Sequence, residues 1–133
     1  MSKGGKDFSE VVKRICIEDP RYDRAAYFFV KQALDYALKQ RMEQQGVPPG
    51  HISGQELLVG IKTFALDQFG PMTLLVLKEW GITRCEDFGE VVFNLVDFGV
   101  FGKTEEDCRS DFAGGYDFHE AFQEPFLPKS KQS

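Results

Sequence analysis

A chain of 133 residues lies near the commonest size for a single domain, and its 42% hydrophobic content, with thirteen phenylalanines, is enough for one real core. Its net charge of −5 argues against broad, salt-driven attraction to nucleic acid or to an anionic membrane. The charge is uneven, with nine Lys/Arg against seven Asp/Glu in residues 1–50 and seven against fourteen in residues 51–133.

The chain opens on Met1-Ser2-Lys3-Gly4-Gly5-Lys6, which is polar and lacks the apolar core of a signal peptide, so residues 1–6 are expected to be disordered. Asp7-Phe8-Ser9-Glu10 pairs a capping residue with a Glu three positions on, and predicts a helix running to about Glu18. Asp19-Pro20 is read as the start of a second helix, with Asp19 as cap and Pro20 in the first position, where a missing N–H costs nothing. In that helix Ala26, Tyr27, Val30, Ala33, Leu34, Ala37 and Leu38 recur at three- and four-residue steps. It ends near Gly46, and Val47-Pro48-Pro49-Gly50 is a loop.

Ser53-Gly54-Gln55-Glu56 is a capping box opening a third helix, whose stripe holds Leu57, Leu58, Ile61, Phe64, Ala65 and Phe69. Gly70-Pro71 breaks the chain, and a short, apolar fourth helix follows with Met72, Leu74, Leu75, Val76, Leu77 and Trp80. Gly81 stops it. Thr83-Arg84-Cys85-Glu86 is read as the cap of a fifth helix, apolar on most sides and therefore central.

After Gly99 the periodicity weakens. Val100–Gly102 admits one strand of a short β-ribbon, Thr104–Asp107 a helical start, Gly114-Gly115 a turn, and Asp117 a cap for a final turn or two. Residues 7–123 are thus expected to form one all-α domain, a compact orthogonal arrangement of five helices with a small irregular C-terminal subdomain. Residues 124–133 are expected to form an extended tail.

Asp19-Pro20-Arg21-Tyr22, Ser53-Gly54-Gln55-Glu56-Leu57-Leu58 and Gln68-Phe69-Gly70-Pro71-Met72 are familiar as a set. Trp80-Gly81-Ile82-Thr83-Arg84-Cys85-Glu86-Asp87-Phe88-Gly89-Glu90 and Asp111-Phe112-Ala113-Gly114-Gly115-Tyr116-Asp117-Phe118 belong with them. Together they resemble a family of short hypothetical proteins from planctomycetes, verrucomicrobia and related bacteria. The resemblance runs from about Phe8 to Pro128. It implies a bacterial cytoplasmic protein with one intact domain, and it transfers no site residue.

Three dispersed cysteines, Cys16, Cys85 and Cys108, with no CxxC spacing, point the same way, to a reduced compartment, and no apolar run approaches the roughly 18 residues that span a bilayer. Helices four and five with their Gly-containing turn have the spacing of a helix-turn-helix, which makes Arg84 the candidate nucleic-acid contact of a winged-helix-like regulator. The neighbours Glu86, Asp87 and Glu90 would repel phosphate, so this is the second reading. A Cys85 nucleophile with His51 as its base would make a small-ligand enzyme, the third reading, but no Cys–His–Asn order supports it and no catalytic residue is assigned. Asp107, Asp111 and Asp117 lack the spacing of a calcium loop, no Gly-rich phosphate loop is present, and neither metal nor cofactor is expected. Arg21, Arg24 and Arg84 could face Glu56, Glu86 or Asp87, pinning helices or binding an anion.

The favoured reading is a non-catalytic protein-binding or adaptor module, with a protein partner or self-association. Its docking residues are expected among Phe112, Tyr116, Phe118 and Phe122. These rings are interleaved with the acids Glu105, Glu106, Asp107, Asp111, Asp117 and Glu120, against which only Arg109 stands. At least one ring has to be exposed for this to hold.

Overall fold

The computed structural model describes residues 8–46, 53–99, 112 and 115–127. They form α1 (Phe8–Glu18), α2 (Arg24–Gln45), α3 (Gly54–Phe69), α4 (Thr73–Glu79), α5 (Cys85–Asp97) and the single-turn α6 (Phe118–Phe122). Two 3-10 turns, Gly70–Met72 and Glu124–Phe126, complete the described elements. The fold is all-α. No strand occurs among the described residues, and Val100–Gly102, where a ribbon was expected, lie outside them, as do Thr104–Asp107.

The third helix begins as its sequence dictates. Ser53 Oγ accepts from the Glu56 amide at 3.1 Å, and Glu56 Oε1 accepts from the Ser53 amide at 3.1 Å. Two amides with no partner inside the helix are satisfied reciprocally. Asp117 caps α6 in the expected way, accepting from the Glu120 amide.

Two starts differ from expectation. The second helix opens at Arg24, not at Pro20, and its cap is Asp23, whose carboxylate accepts from the Ala25 amide at 2.8 Å. Asp19 instead closes α1, donating its amide to the Ile15 carbonyl, and its carboxylate turns to Arg21 and Asn94. At α5 the Thr83 side chain caps nothing. Asp87 reaches back and accepts from both the amide and the hydroxyl of Thr83, at 2.9 and 3.3 Å.

Gly70 sits at φ +52°, ψ −130°, a conformation that favours glycine, and Pro71 follows in the 3-10 turn. Thr73, buried at the start of α4, donates its single hydroxyl hydrogen towards the carbonyls of Gly70 and Ala65, 2.6 and 3.2 Å away. This bond fixes α4 against the end of α3 across the break.

One core gathers side chains from all six helices. α2 packs chiefly on α3 and α5, and α5 contributes Cys85, Phe88, Gly89, Val91, Val92, Phe93 and Leu95, all buried. The central position read for this helix follows from that list. The chain does not run extended from Glu124: the 3-10 turn folds back beside α6, and α6 rests on α4. Residues 128–133 lie outside the described residues, as do 1–7 and 47–52.

Candidate functional site

Of the four rings expected to dock, three are core residues instead, and the fourth, Tyr116, packs against the core. Phe122 is fully buried, and Phe112 and Phe118 nearly so. Phe118 packs edge-on to Phe122 at 5.0 Å between centroids and lies 5.6 Å from Phe88, while Phe112 meets Phe93 edge-on at 6.2 Å. Room for Phe112 comes from Gly89 on α5, where a Cβ would stand only 2.9 Å from the ring's own Cβ. Tyr116 is half-buried. Its hydroxyl donates to the Leu58 carbonyl at 2.9 Å, and burial pushes its pKa well above the ordinary tyrosine range. None of the four is available as the substantially exposed ring that docking required. Of the acids read as their rim, Asp117 and Glu120 are exposed, and residues 105–111 lie outside the described residues.

The arginine cluster resolves into a polar seam between the α1–α2 link and α5. Arg21 grips Asp19 with two nitrogens, at 2.8 and 2.6 Å, and reaches Glu90 at 3.3 Å. Asn94 donates to Asp19 at 2.9 Å and to the Tyr27 hydroxyl at 3.0 Å, and the Tyr22 hydroxyl donates to Asp87 at 2.7 Å. Of the pairings expected, neither Arg24 nor Arg84 forms an ion pair among the described residues, and Glu56 is held by Arg41 at 2.8 Å. An open groove of about 720 Å³ lies beside this seam, lined by Arg14, Glu18, Asp19, Asn94 and Asp97. Both Asp19 oxygens are already engaged, so the seam holds helices together.

The Arg21 guanidinium beside Asp19 keeps its carboxyl well below the usual carboxylate range, despite partial burial, and Asn94 acts in the same direction. The unfolded chain therefore takes up a proton near pH 4, where the folded chain resists it. Stability from this group is complete above about pH 4 and is lost as pH falls towards the depressed folded value. Asp19→Asn is expected to flatten the acid limb of stability between about pH 4 and pH 2, read by urea unfolding at stepped pH. An unchanged acid limb would show that the seam contributes nothing.

Neither described thiol is an activated nucleophile. Cys85 is buried, its Sγ–H donates to the Tyr116 carbonyl at 3.4 Å, and burial pushes its pKa up. Cys16, half-buried, is also raised, again chiefly by burial. His51 and Cys108 lie outside the described residues. Among the described residues no three His, Cys, Asp or Glu gather as a metal site.

Arg84 is exposed at the head of α5, but the helix has no cationic face. Its first turn holds Glu86 and Asp87, and of its residues Asp97 alone is well exposed. A recognition helix needs its outward side free for base edges and phosphates, and the side that this one turns from the core carries Glu86, Asp87, Glu90 and Asp97.

A different surface remains. Pro71, Leu74 and Leu75 form one wall of an open groove of about 440 Å³, Phe126 and Leu127 form the other, and Phe122 lies at its floor. Leu75 is 51% exposed, Phe126 45% and Leu127 44%, and Met72, next to Pro71, is 51% exposed. Lys78 is the charged residue of the lining. The other large exposed apolar residues, Ile17, Phe28, Met42 and Val59, lie elsewhere on α1, α2 and α3. No family model, curated protein or solved structure matches the chain. The surface itself therefore has to carry the functional assignment.

Sequence reasoning missed this groove. The signal was the fourth helix, apolar on every side: such a helix is either fully enclosed or covered by something else. Thr73 and Leu77 point into the core, and Leu75 is left outside. No described helix is long and apolar enough to cross a membrane.

Proposed function

We propose that this protein is a non-catalytic protein-binding module whose docking surface is the groove between α4 and the final 3-10 turn. The resemblance to short bacterial proteins and the unpaired thiols of Cys16 and Cys85 support work in a reducing bacterial cytoplasm. The observation that carries the reading is the gathering of Leu75, Phe126 and Leu127, each between 44% and 51% exposed, around one concavity, with the exposed Met72 next in the chain to its Pro71. Clustered apolar side chains on a folded surface mark a contact site far more often than scattered ones do. Phe126 and Leu75 are the anchors, because a ring and a branched chain beside a concave floor bury the most area on contact.

Photo-crosslinking tests the reading. A benzophenone side chain placed at position 75 or 126, expressed in the native host, is expected to give discrete protein adducts. The same group at the exposed α2 position 39 is expected to give none. Adducts of equal yield from all three positions, or from none, would contradict the assignment.

A further inference from the structure

We infer that the occupant of this groove is the same groove of a second copy of the chain, related by a two-fold axis. The inference rests on the docking reading above and adds the identity of the partner.

The charges flanking the apolar surface carry it. Lys78 stands on the α4 wall, and among the described residues no ion pair reaches it. Glu124 opens the 3-10 turn of the opposite wall, and the exposed His119 ring lies 3.6 Å from its carboxylate. One cation on one wall and one carboxylate on the other is a self-complementary pattern. In a two-fold contact, the α4 wall of one copy lies on the 3-10 wall of its partner, and each contact occurs twice. Lys78 of one copy then meets Glu124 of the other, symmetrically at both ends. Leu75, Phe126, Leu127 and Met72 of both copies close the apolar centre between them.

The mixed signs also discriminate against other occupants. A purely basic segment would be repelled by Lys78 inside the groove, and a purely acidic one by Glu124 and by the net charge of −5. A second copy carries the same net charge but presents opposite signs at both places where the walls meet. The pairs therefore fix orientation and register, while the apolar centre supplies the affinity.

The test is sedimentation of the whole chain from about 1 μM to about 1 mM, a range that reaches even weak association. A monomer–dimer equilibrium is expected. Lys78→Glu and Glu124→Lys are each expected to weaken it about tenfold, because each reverses two symmetric pairs. The double variant is expected to recover to within about threefold of the original. All of these positions are exposed, so the variants keep the fold, as circular dichroism will verify. A chain monomeric throughout the range would overturn the inference. So would a dimer indifferent to Leu75→Asp, or a double variant no better than the singles. If the monomeric chain still gives adducts of a different protein from position 75, only the second copy is ruled out as occupant. If it gives no adducts, the docking reading fails with it.

Discussion

Replacing Gly81 with alanine is expected to destabilise the fold by about 3 kcal/mol or more. Gly81 ends the α4 turn at φ +89°, where an L side chain already costs about 1–2 kcal/mol. The larger part is a collision: an added Cβ would stand 2.4 Å from the Arg21 carbonyl oxygen. That oxygen is backbone, held in place because the neighbouring Asp23 amide donates to the Trp80 carbonyl at 3.1 Å. The α1–α2 link and the α4–α5 turn therefore cross at this glycine, and neither can yield alone. Gly99→Ala separates the two effects. Its φ is +81°, yet among the described residues nothing lies within 4 Å of its added Cβ, so only the conformational cost of about 1 kcal/mol is expected there. Urea unfolding of both variants checks the difference, and equal losses would show that the crossing is not tight.

Phe122→Ala and Phe126→Ala are expected to act in opposite ways, although the residues are four apart. Phe122 is fully buried against Phe118 and Tyr116, with centroids 5.0 and 5.7 Å away. Its truncation leaves a cavity and is expected to cost about 3–5 kcal/mol. Phe126 is 45% exposed, so the same truncation is expected to cost about 1 kcal/mol or less while removing most adduct formation at position 75. Melting curves and adduct yields measured side by side check the pair. A Phe126→Ala variant that unfolds like Phe122→Ala would make the groove part of the core.

Local signals were the legible ones. Ser53 with Glu56, Asp117 with Glu120, and the Gly70-Pro71 break each lie within a few residues, and each reads true. The errors arose where a local signal met a distant partner. Asp19-Pro20 has the form of a helix start, but the Asp19 carboxylate is taken by Asn94, 75 residues away, and the duty of capping passes to Asp23. Thr83 likewise yields to Asp87, which also accepts from the distant Tyr22. For the C-terminal aromatic segment, ring spacing without helical period carries no information about direction. The deciding contacts are long-range ones: Gly89 leaves space for Phe112, and Leu58 offers a carbonyl to Tyr116. At Gly115 an added Cβ would stand 2.5 Å from Leu58 Cδ1, so the chain enters this region pressed against α3. Phe126 and Leu127, read as part of a tail, are fastened beside α6 by a turn in which their amides donate to Gln123 and Glu124.

Hydroxyl-radical footprinting tests the location of the docking face most directly, because it reads each side chain in the native solution state. In the dilute chain Met72, Leu75, Phe126 and Leu127 are expected to be labelled, and Phe112, Phe118 and Phe122 to be spared. In the concentrated chain the first four are expected to become protected together, with Ile17 and Val59 unchanged. Labelling of Phe118 or Phe122 in the folded chain, or protection that falls away from the α4 groove, would contradict this location.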